Sequence, residues 1–219
     1  MNKGDCFVDT DTLLDSYNNV KEKIRERVRE FEENMNSSEE RIFAELSFCL
    51  CTPQSRATAC WKAILTLIET GLLYIGSEAE ISPFLRGIRF HERKASYIVS
   101  ARNLFTKDGK LRIKESLKAF CDVFEVREWL CRNIKGLGMK EASHFLRNIG
   151  IGMDLAILDR HVLKNLKSLG IIMEIPRSLT RRRYEEIERM MKSFAEKVGI
   201  PMAELDLLLW SIETGVVFK

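Results

Sequence analysis

The spacing of the apolar residues is the feature of this 219-residue chain that most limits its possible folds. Near the N-terminus, apolar side chains recur every three or four residues, the repeat of one face of an α-helix: Leu13, Leu14, Tyr17, Val20, Ile24, Val28 and Phe31. Later segments show similar spacing, and no segment alternates apolar and polar residues as a half-buried strand would. We therefore predict an all-α fold with no β-hairpin.

The segment "NSSEERIFAELSFCLC" predicts a helix at the centre of the core. It opens with Ser37 and Glu40 three residues apart, which is the spacing of a capping box at a helix N-terminus. The residues that follow are apolar on all sides of the predicted helix. A helix of that kind is buried on every face.

Composition excludes several classes of protein. No run of 18 apolar residues occurs and the N-terminal segment has no apolar signal core, so we expect an intracellular protein without a membrane span. The six cysteines lack the spacing of zinc or iron–sulfur ligands, so we expect no metal from them. We interpret them as reduced, mostly buried thiols: Cys6, Cys49, Cys51, Cys60, Cys121 and Cys131.

The charges alone do not identify a partner. The net charge is only +3, although four arginines occur between residues 177 and 183. Arg181–Arg183 would suit a DNA backbone, but such a run is more often a solvated helix face. Charged residues reach 31% and Gln54 is the single glutamine, which favours a thermophilic source, whereas six cysteines and eight methionines favour the opposite.

A glycine turn, "KGLG" at 135–138, precedes the helix predicted from about Met139 to Asn148. Gly136 and Gly138 permit positive φ and close approach of the backbone. Their N–H groups, together with the free N–H groups and dipole of the following helix, would bind an anion such as a DNA phosphate. The alternative is a plain connector in which glycines merely allow a tight turn.

An amine and a carboxylate follow this turn at a suggestive spacing. Lys140 lies in the first turn of the helix, and Asp159 lies nineteen residues later, where it would cap the next helix. If both faced one cleft, a partly desolvated Lys140 would form a Schiff base and Asp159 would help to deprotonate it. The alternative is a surface ion pair that contributes about 0–1 kcal/mol.

These segments resemble a known family. "NIKGLGMKEASHFLRNIG" followed by "AILDRHVLKNL" resembles the helix–hairpin–helix DNA glycosylases, and the lysine is similar to that of bifunctional glycosylase/AP lyases. More narrowly, "DRHVLKNL", "FCLCTPQSRA" and the C-terminal "GVVFK" resemble the compact archaeal and thermophilic 8-oxoguanine DNA glycosylases. The resemblance spans roughly residues 40–219.

The resemblance implies a role for several residues. Lys140 would attack C1′ of the damaged nucleotide, and Asp159 would assist deprotonation and stabilise positive charge on the sugar. Gly136 and Gly138 would bind a phosphate, and a monovalent cation would sit on the hairpin carbonyls. Gln54 would fill the gap left by the extruded base. Phe90 and Trp210 would sandwich that base, and Lys219, the terminal residue, would distinguish oxidised guanine from guanine.

Physical arguments weigh these roles differently. Phe90 stands between charged residues in "RGIRFHERKA", where it is unusual as core, whereas Trp210 fits core packing equally well. Rejecting guanine needs an acceptor aimed at N7–H, and Pro53, where a helix ends, could leave a carbonyl unpaired for that purpose. Arg160 and His161 directly follow Asp159 and would suit phosphate contacts. We expect His144 to be structural and Asp206 to be a surface or capping residue.

The predicted protein is a monomer that acts on damaged double-stranded DNA in the cytoplasm, at the nucleoid. Its two helical lobes would comprise residues 37–154, and residues 1–36 with 155–219, and DNA would lie across the groove between them. Two alternatives stay open. One is a glycosylase of the same fold for another oxidised base, and the other is a non-catalytic helix–hairpin–helix DNA-binding module.

Overall fold

The computed structural model describes residues 9–219, so Cys6 lies outside the described residues. Within this range helices are the dominant secondary structure, which confirms the all-α class. A short 3-10 helix spans Ser82–Leu85. The α-helices of the described part are α1 (Thr10–Asn34), α2 (Glu39–Cys51), α3 (Ala57–Glu69), α4 (Leu72–Ile75), α5 (Glu78–Ile81), α6 (His91–Phe105), α7 (Ile113–Lys118), α8 (Val123–Asn133), α9 (Met139–Asn148), α10 (Arg160–Ser168), α11 (Arg181–Val198) and α12 (Met202–Thr214).

One small β-hairpin was missed in the sequence. Strands β1 (Thr106–Lys107) and β2 (Lys110–Leu111) pair antiparallel, with Thr106 opposite Leu111. The connecting residues, Asp108 and Gly109, have φ of 50° and 72°, as the two-residue turn of a hairpin requires. The expectation of no hairpin was wrong because this Asp-Gly pair joins strands too short to show alternation.

The contacts divide the chain into two compact units. One comprises the residues up to Phe31 together with Met153–Lys219, and the other comprises Glu32–Gly152. The sequence predicted divisions after residues 36 and 154, which are a few residues later in the chain than the divisions in the structure.

Helix α2 forms the centre of the unit Glu32–Gly152. Every residue from Ile42 to Cys51 is buried, and α3, α6, α7 and α9 pack around the helix. This confirms the central position predicted from its apolar faces. The N-cap differs by one residue, because Ser38 rather than Ser37 accepts the N–H of Arg41, at 3.2 Å.

The hairpin between α8 and α9 is anchored by packing and by buried polar contacts. Ile134 and Leu137, within the turn, are 3% and 4% exposed. The buried guanidinium of Arg127 on α8 donates to Ser143 Oγ on α9 at 3.0 Å. At the other end of α9, Asn148 Nδ2 donates to Glu45 Oε2 on α2 at 3.1 Å. Backbone positions in this turn are therefore fixed relative to α2.

Helix α12 forms the core of the other unit. Its residues from Met202 to Leu209 are buried, and α10 and α11 pack against it. Asp206 lies on this buried stretch, 3% exposed, and accepts the backbone N–H of Ile157 at 3.2 Å. The expectation of a surface or capping residue was wrong, since this carboxylate satisfies a buried backbone donor of the segment that leads into α10.

In the same unit, α1 is joined to α12 through Tyr17. The Tyr17 hydroxyl donates to Glu204 Oε2, which also accepts from Arg25 Nε at 3.4 Å. Burial, followed by the hydrogen bond to Glu204, raises the pKa of Tyr17 to about 12. Removing the tyrosyl proton would place a second negative charge beside Glu204.

No helix in the described range 9–219 combines the length and the apolar character that a membrane crossing requires.

Candidate active site

Lys140 occupies the first turn of α9, as the sequence predicted, and its amine is only partly exposed. Its side chain is 22% exposed, and Nζ lies 3.0 Å from Glu141 Oε1 and 3.4 Å from Thr52 Oγ1. In an ion pair the amine is an ammonium, which must lose a proton before it can act as a nucleophile. The carboxylate partner was not foreseen in the sequence.

The two glycines of the turn differ in their backbone conformation. Gly136 has φ of 84°, and a Cβ at this position would lie 2.3 Å from Cδ2 of the Tyr97 ring. Gly138 is extended, with φ of −92°, so the expected positive φ holds for Gly136 alone. Gly138 is the N-cap of α9 and provides no side-chain cap. The first N–H groups of α9 are therefore available to an anion.

The loop between α2 and α3 carries Pro53 and Gln54. Gln54 is exposed and has φ of 55°, a conformation that few residues with a side chain adopt. The carbonyl of Pro53 accepts from Lys94 Nζ at 2.8 Å and from Ser55 Oγ at 3.4 Å. The expectation that this carbonyl is unpaired was therefore wrong.

Phe90 is exposed in the loop that leads into α6, as predicted from its polar neighbours. Its side chain is 48% exposed, and its backbone has φ of 59°. The guanidinium carbon of Arg89 lies 4.8 Å from the centre of the ring. An exposed aromatic ring of this kind presents a π-face on which a base can stack.

These elements of the unit Glu32–Gly152 meet around the C-terminal end of α2. Lys140 contacts Thr52, which precedes Pro53. Lys94, which contacts Pro53, has its pKa lowered by burial, and the positive charge of Lys140 adds to this effect. Neither Lys94 nor Glu141 was singled out in the sequence. Glu141 could have been, as the acidic neighbour of Lys140, whereas no local pattern marks Lys94.

Two buried thiols lie below this site. Cys60 Sγ donates to the carbonyl of Cys51 at 3.1 Å. Burial raises the pKa of the Cys60 thiol to about 11 and also raises the pKa of Cys51. Cys49 is buried as well, but Cys131 is half-buried and Cys121 is exposed. Three of the five described cysteines are therefore buried, as expected, and none of the five forms a disulfide.

In the other unit, Asp159 caps α10 as predicted. Its Oδ1 accepts the N–H groups of His161 and Val162, both at 2.8 Å. The preceding segment is held by buried side chains: Ala156 N–H donates to Glu188 Oε1 at 2.8 Å, and its carbonyl accepts from the Tyr184 hydroxyl at 2.6 Å. The position of Asp159 is therefore set on both sides.

Of the remaining predicted residues of this unit, Trp210 lies close to two other rings. The rings of His161 and Trp210 lie 6.5 Å apart in an edge-on arrangement, and Trp210 lies 6.4 Å from Phe218. Trp210 and Lys219 are half-buried and Arg160 is exposed. Trp210 is thus not a core residue like Leu207 and Leu208, its buried neighbours on α12.

The predicted site residues are divided between the two units. Pro53, Gln54, Phe90, Gly136, Gly138 and Lys140 lie in the unit Glu32–Gly152, and Asp159, Arg160, His161, Trp210 and Lys219 lie in the other. No group of three or more histidine, cysteine, aspartate or glutamate side chains in the described part of the chain could hold a metal ion. The cation expected on backbone carbonyls of the hairpin stays a prediction.

The helical hairpin, the lysine directly after it and the capping aspartate define a lyase-type DNA glycosylase of the helix–hairpin–helix superfamily. The family model for 8-oxoguanine DNA glycosylase matches residues 24–200. This chain belongs to that family, which confirms the resemblance identified in the sequence.

Its relatives match over most of their length. The chain is 44% identical to the 8-oxoguanine DNA glycosylase/AP lyase of Fusobacterium nucleatum, with 100% of both chains covered. It is 41% identical to the protein of the same name from Methanocaldococcus jannaschii, over 91% of this chain and 93% of that one. The crystal structure of a Methanocaldococcus jannaschii 8-oxoguanine glycosylase/lyase in complex with a 15mer DNA containing 8-oxoguanine matches with a TM-score of 0.87 and 37% identity, over 96% of this chain and 99% of that one.

Proposed function

We propose that this protein excises 8-oxoguanine from double-stranded DNA and then cleaves the strand at the resulting abasic site. The position of Lys140 carries the proposal, since a partly buried amine directly follows an uncapped helical hairpin in a chain of this family. The hairpin N–H groups would bind a backbone phosphate without regard to base sequence. They would hold the sugar near the amine.

In the proposed reaction, the nitrogen of Lys140 attacks C1′ as the bond from C1′ to the base breaks and the base leaves with the bonding electrons. Opening of the sugar ring gives a Schiff base between Lys140 and C1′. Loss of a proton from C2′ then expels the 3′ phosphate by β-elimination, and hydrolysis releases the enzyme. We assign Asp159 to proton removal from the amine and to stabilisation of positive charge on the sugar.

The other predicted residues would recognise the lesion. The base must leave the helical stack before C1′ is accessible. Phe90 and Trp210 would stack on the extruded base, and Gln54 would occupy the gap. The carbonyl of Pro53 accepts from Lys94 at 2.8 Å and from Ser55 Oγ at the longer distance of 3.4 Å, so it could accept the N7–H that guanine lacks by exchanging the contact with Ser55 for one with the base. Lys219 would contact the other edge of the base.

Borohydride trapping tests the proposal directly, because it reduces a Schiff base to a stable covalent adduct. We expect the wild-type protein to be trapped on duplex DNA containing 8-oxoguanine, and Lys140→Gln to abolish trapping. Lys135→Gln is the matched control, since Lys135 is an exposed lysine in the same hairpin. Absence of trapping by the wild type on any lesion would indicate a non-catalytic DNA-binding module, and trapping only on an oxidised pyrimidine would indicate another substrate.

We further propose that the protein acts as a monomer. Light scattering during size-exclusion chromatography should give about the chain mass of 25.4 kDa, with and without DNA after allowance for the duplex. A species of twice that mass would contradict this.

A further inference from the structure

Lys94 is a buried cation whose three donors all end on atoms at the C-terminus of α2 and in the loop that follows it. It is 3% exposed in the first turn of α6. Its Nζ donates to the carbonyls of Cys51 and Pro53 at 2.7 and 2.8 Å and to Ser55 Oγ at 3.1 Å. An ammonium has three N–H donors. All of them are used, so in this arrangement Lys94 is neither a nucleophile nor a base.

These contacts join two loops of the unit Glu32–Gly152. Ser55 Oγ, which accepts from Lys94, also accepts the backbone N–H of Arg89 at 3.1 Å. The backbone N–H of Lys94 donates to the carbonyl of Phe90 at 3.0 Å. One lysine therefore connects the loop 52–56, which leads into α3, with the loop 86–90, which leads into α6.

Each of these loops contains a non-glycine residue with a left-handed backbone. Gln54 has φ of 55° and Phe90 has φ of 59°, and both side chains are exposed. The third such residue in the described chain, Asp108, lies in a hairpin turn where this conformation is ordinary. Strained backbone persists only where the surroundings hold it, and it is common at functional sites.

We propose that Lys94 is a positioning residue for base recognition, which holds the loop of Pro53 and Gln54 against the loop of Phe90. The side chains proposed to meet the extruded base and the gap in the stack are then presented in a fixed relation. The inference rests on the proposed function, but the fastening of the two loops can be measured independently of it.

A comparison of two reactions separates positioning from general stability. Cleavage at a preformed abasic site involves no base, so it does not need the two loops to be held together. Lys94→Met keeps the length of the side chain but removes its three donors. We expect it to reduce the single-turnover rate of 8-oxoguanine excision by up to about a hundredfold relative to the rate of cleavage at the abasic site. Misplacement of reacting groups by an ångström can cause a loss of this size.

Arg102 provides a matched control on the same helix. It is 9% exposed, burial lowers its pKa as it does that of Lys94, and it donates to the carbonyls of Leu73 and Gly76 at 3.2 and 2.7 Å. Arg102→Met likewise leaves carbonyls unpaired, but away from loops 52–56 and 86–90. We expect it to reduce both reactions by the same factor.

Ser55→Ala is a milder variant that keeps the inference testable if Lys94→Met does not fold. It leaves both carbonyl contacts of Lys94, but it removes the hydroxyl that accepts from Lys94 Nζ and from the Arg89 N–H and that donates to the Pro53 carbonyl. Hydrogen exchange of the Arg89 amide in the free protein should accelerate in Lys94→Met and Ser55→Ala but not in Arg102→Met, and Ser55→Ala should shift the ratio of the two reactions in the same direction, by less.

The outcomes distinguish the inference from the proposed function. If the wild type does not excise 8-oxoguanine, the proposed function fails, and exchange at Arg89 still decides whether Lys94 fastens the loops. The inference is overturned by either of two results. One is that the wild type is active but Lys94→Met and Ser55→Ala leave the ratio of the two reactions unchanged. The other is that hydrogen exchange at the Arg89 amide stays at the wild-type rate in both variants.

Discussion

Alanine in place of Gly136 should be the most destabilising small substitution in the hairpin. Two separate costs arise there, because the backbone has φ of 84° and a Cβ would lie 2.3 Å from the ring of Tyr97. Left-handed backbone costs a residue with a side chain roughly 1–2 kcal/mol. Forcing extra volume into packed atoms adds about 1–3 kcal/mol. The free energy of unfolding should therefore fall by roughly 2–5 kcal/mol.

Gly71 offers a control that isolates the backbone cost. It has φ of 74°, and a Cβ there would meet nothing within 4 Å. Gly71→Ala should cost only about 1–2 kcal/mol. In a Tyr97→Ala background the clash at residue 136 disappears, so Gly136→Ala should there cost about as much as Gly71→Ala.

Urea unfolding, followed by circular dichroism, gives the free energy of unfolding of each variant. Equal slopes of the transitions would establish that each variant exposes the same surface on unfolding. The double-mutant cycle should give a coupling of about 1–3 kcal/mol between residues 97 and 136. Equal losses for Gly136→Ala and Gly71→Ala, or a coupling near zero, would refute the reasoning and show that the hairpin can move away from the ring.

Three further predictions concern the ends of the chain and the second unit. Deleting Lys219 should slow excision of 8-oxoguanine about 5- to 150-fold, as loss of one buried polar contact would, and an equal loss of cleavage at abasic sites would contradict a role in base recognition. Asp159→Asn keeps an acceptor for the helix cap, so it should lower excision with little change in the free energy of unfolding in urea. Asp159→Ala should lower excision and also reduce the free energy of unfolding by about 0.5–2 kcal/mol. Similar stability of the two variants would argue against the cap. The pKa of Tyr17 is raised to about 12, so the stabilisation of the fold by its protonated hydroxyl is complete below pH 10 and is lost as the pH rises to 12. Over this range the free energy of unfolding of the wild type should therefore fall by roughly 2–3 kcal/mol more than that of Tyr17→Phe. Parallel pH curves of the two proteins would contradict this.

Local signals in the sequence were sufficient for much of the fold. Helix α2 could be placed at the centre because its apolar residues occupy every face. The cap of α10 by Asp159 could also be predicted, because it depends only on residues next to Asp159 in the sequence. The cap of α2 was displaced by one residue, from Ser37 to Ser38, since two adjacent serines give nearly the same pattern. Of two glycines in one turn, the sequence could not indicate that Gly136 alone needs positive φ.

Long-range partners explain most of what the sequence did not reveal. Asp206 is buried because it accepts a backbone N–H from residue 157, on a segment 49 residues away. Lys94 stands in "HERKASY", which has the composition of a solvated helix, and its burial depends on loop atoms some 40 residues earlier. Polar residues can be buried wherever a partner satisfies them, and the identity of that partner is a tertiary property.

The protonated state of the sulfur atoms beneath the site has a consequence for work under oxidative stress. Peroxides attack the thiolate and not the thiol. Burial raises the pKa of the Cys60 thiol to about 11 and also raises the pKa of Cys51, so both thiols stay protonated at neutral pH. The oxidants that damage guanine should therefore spare these two residues.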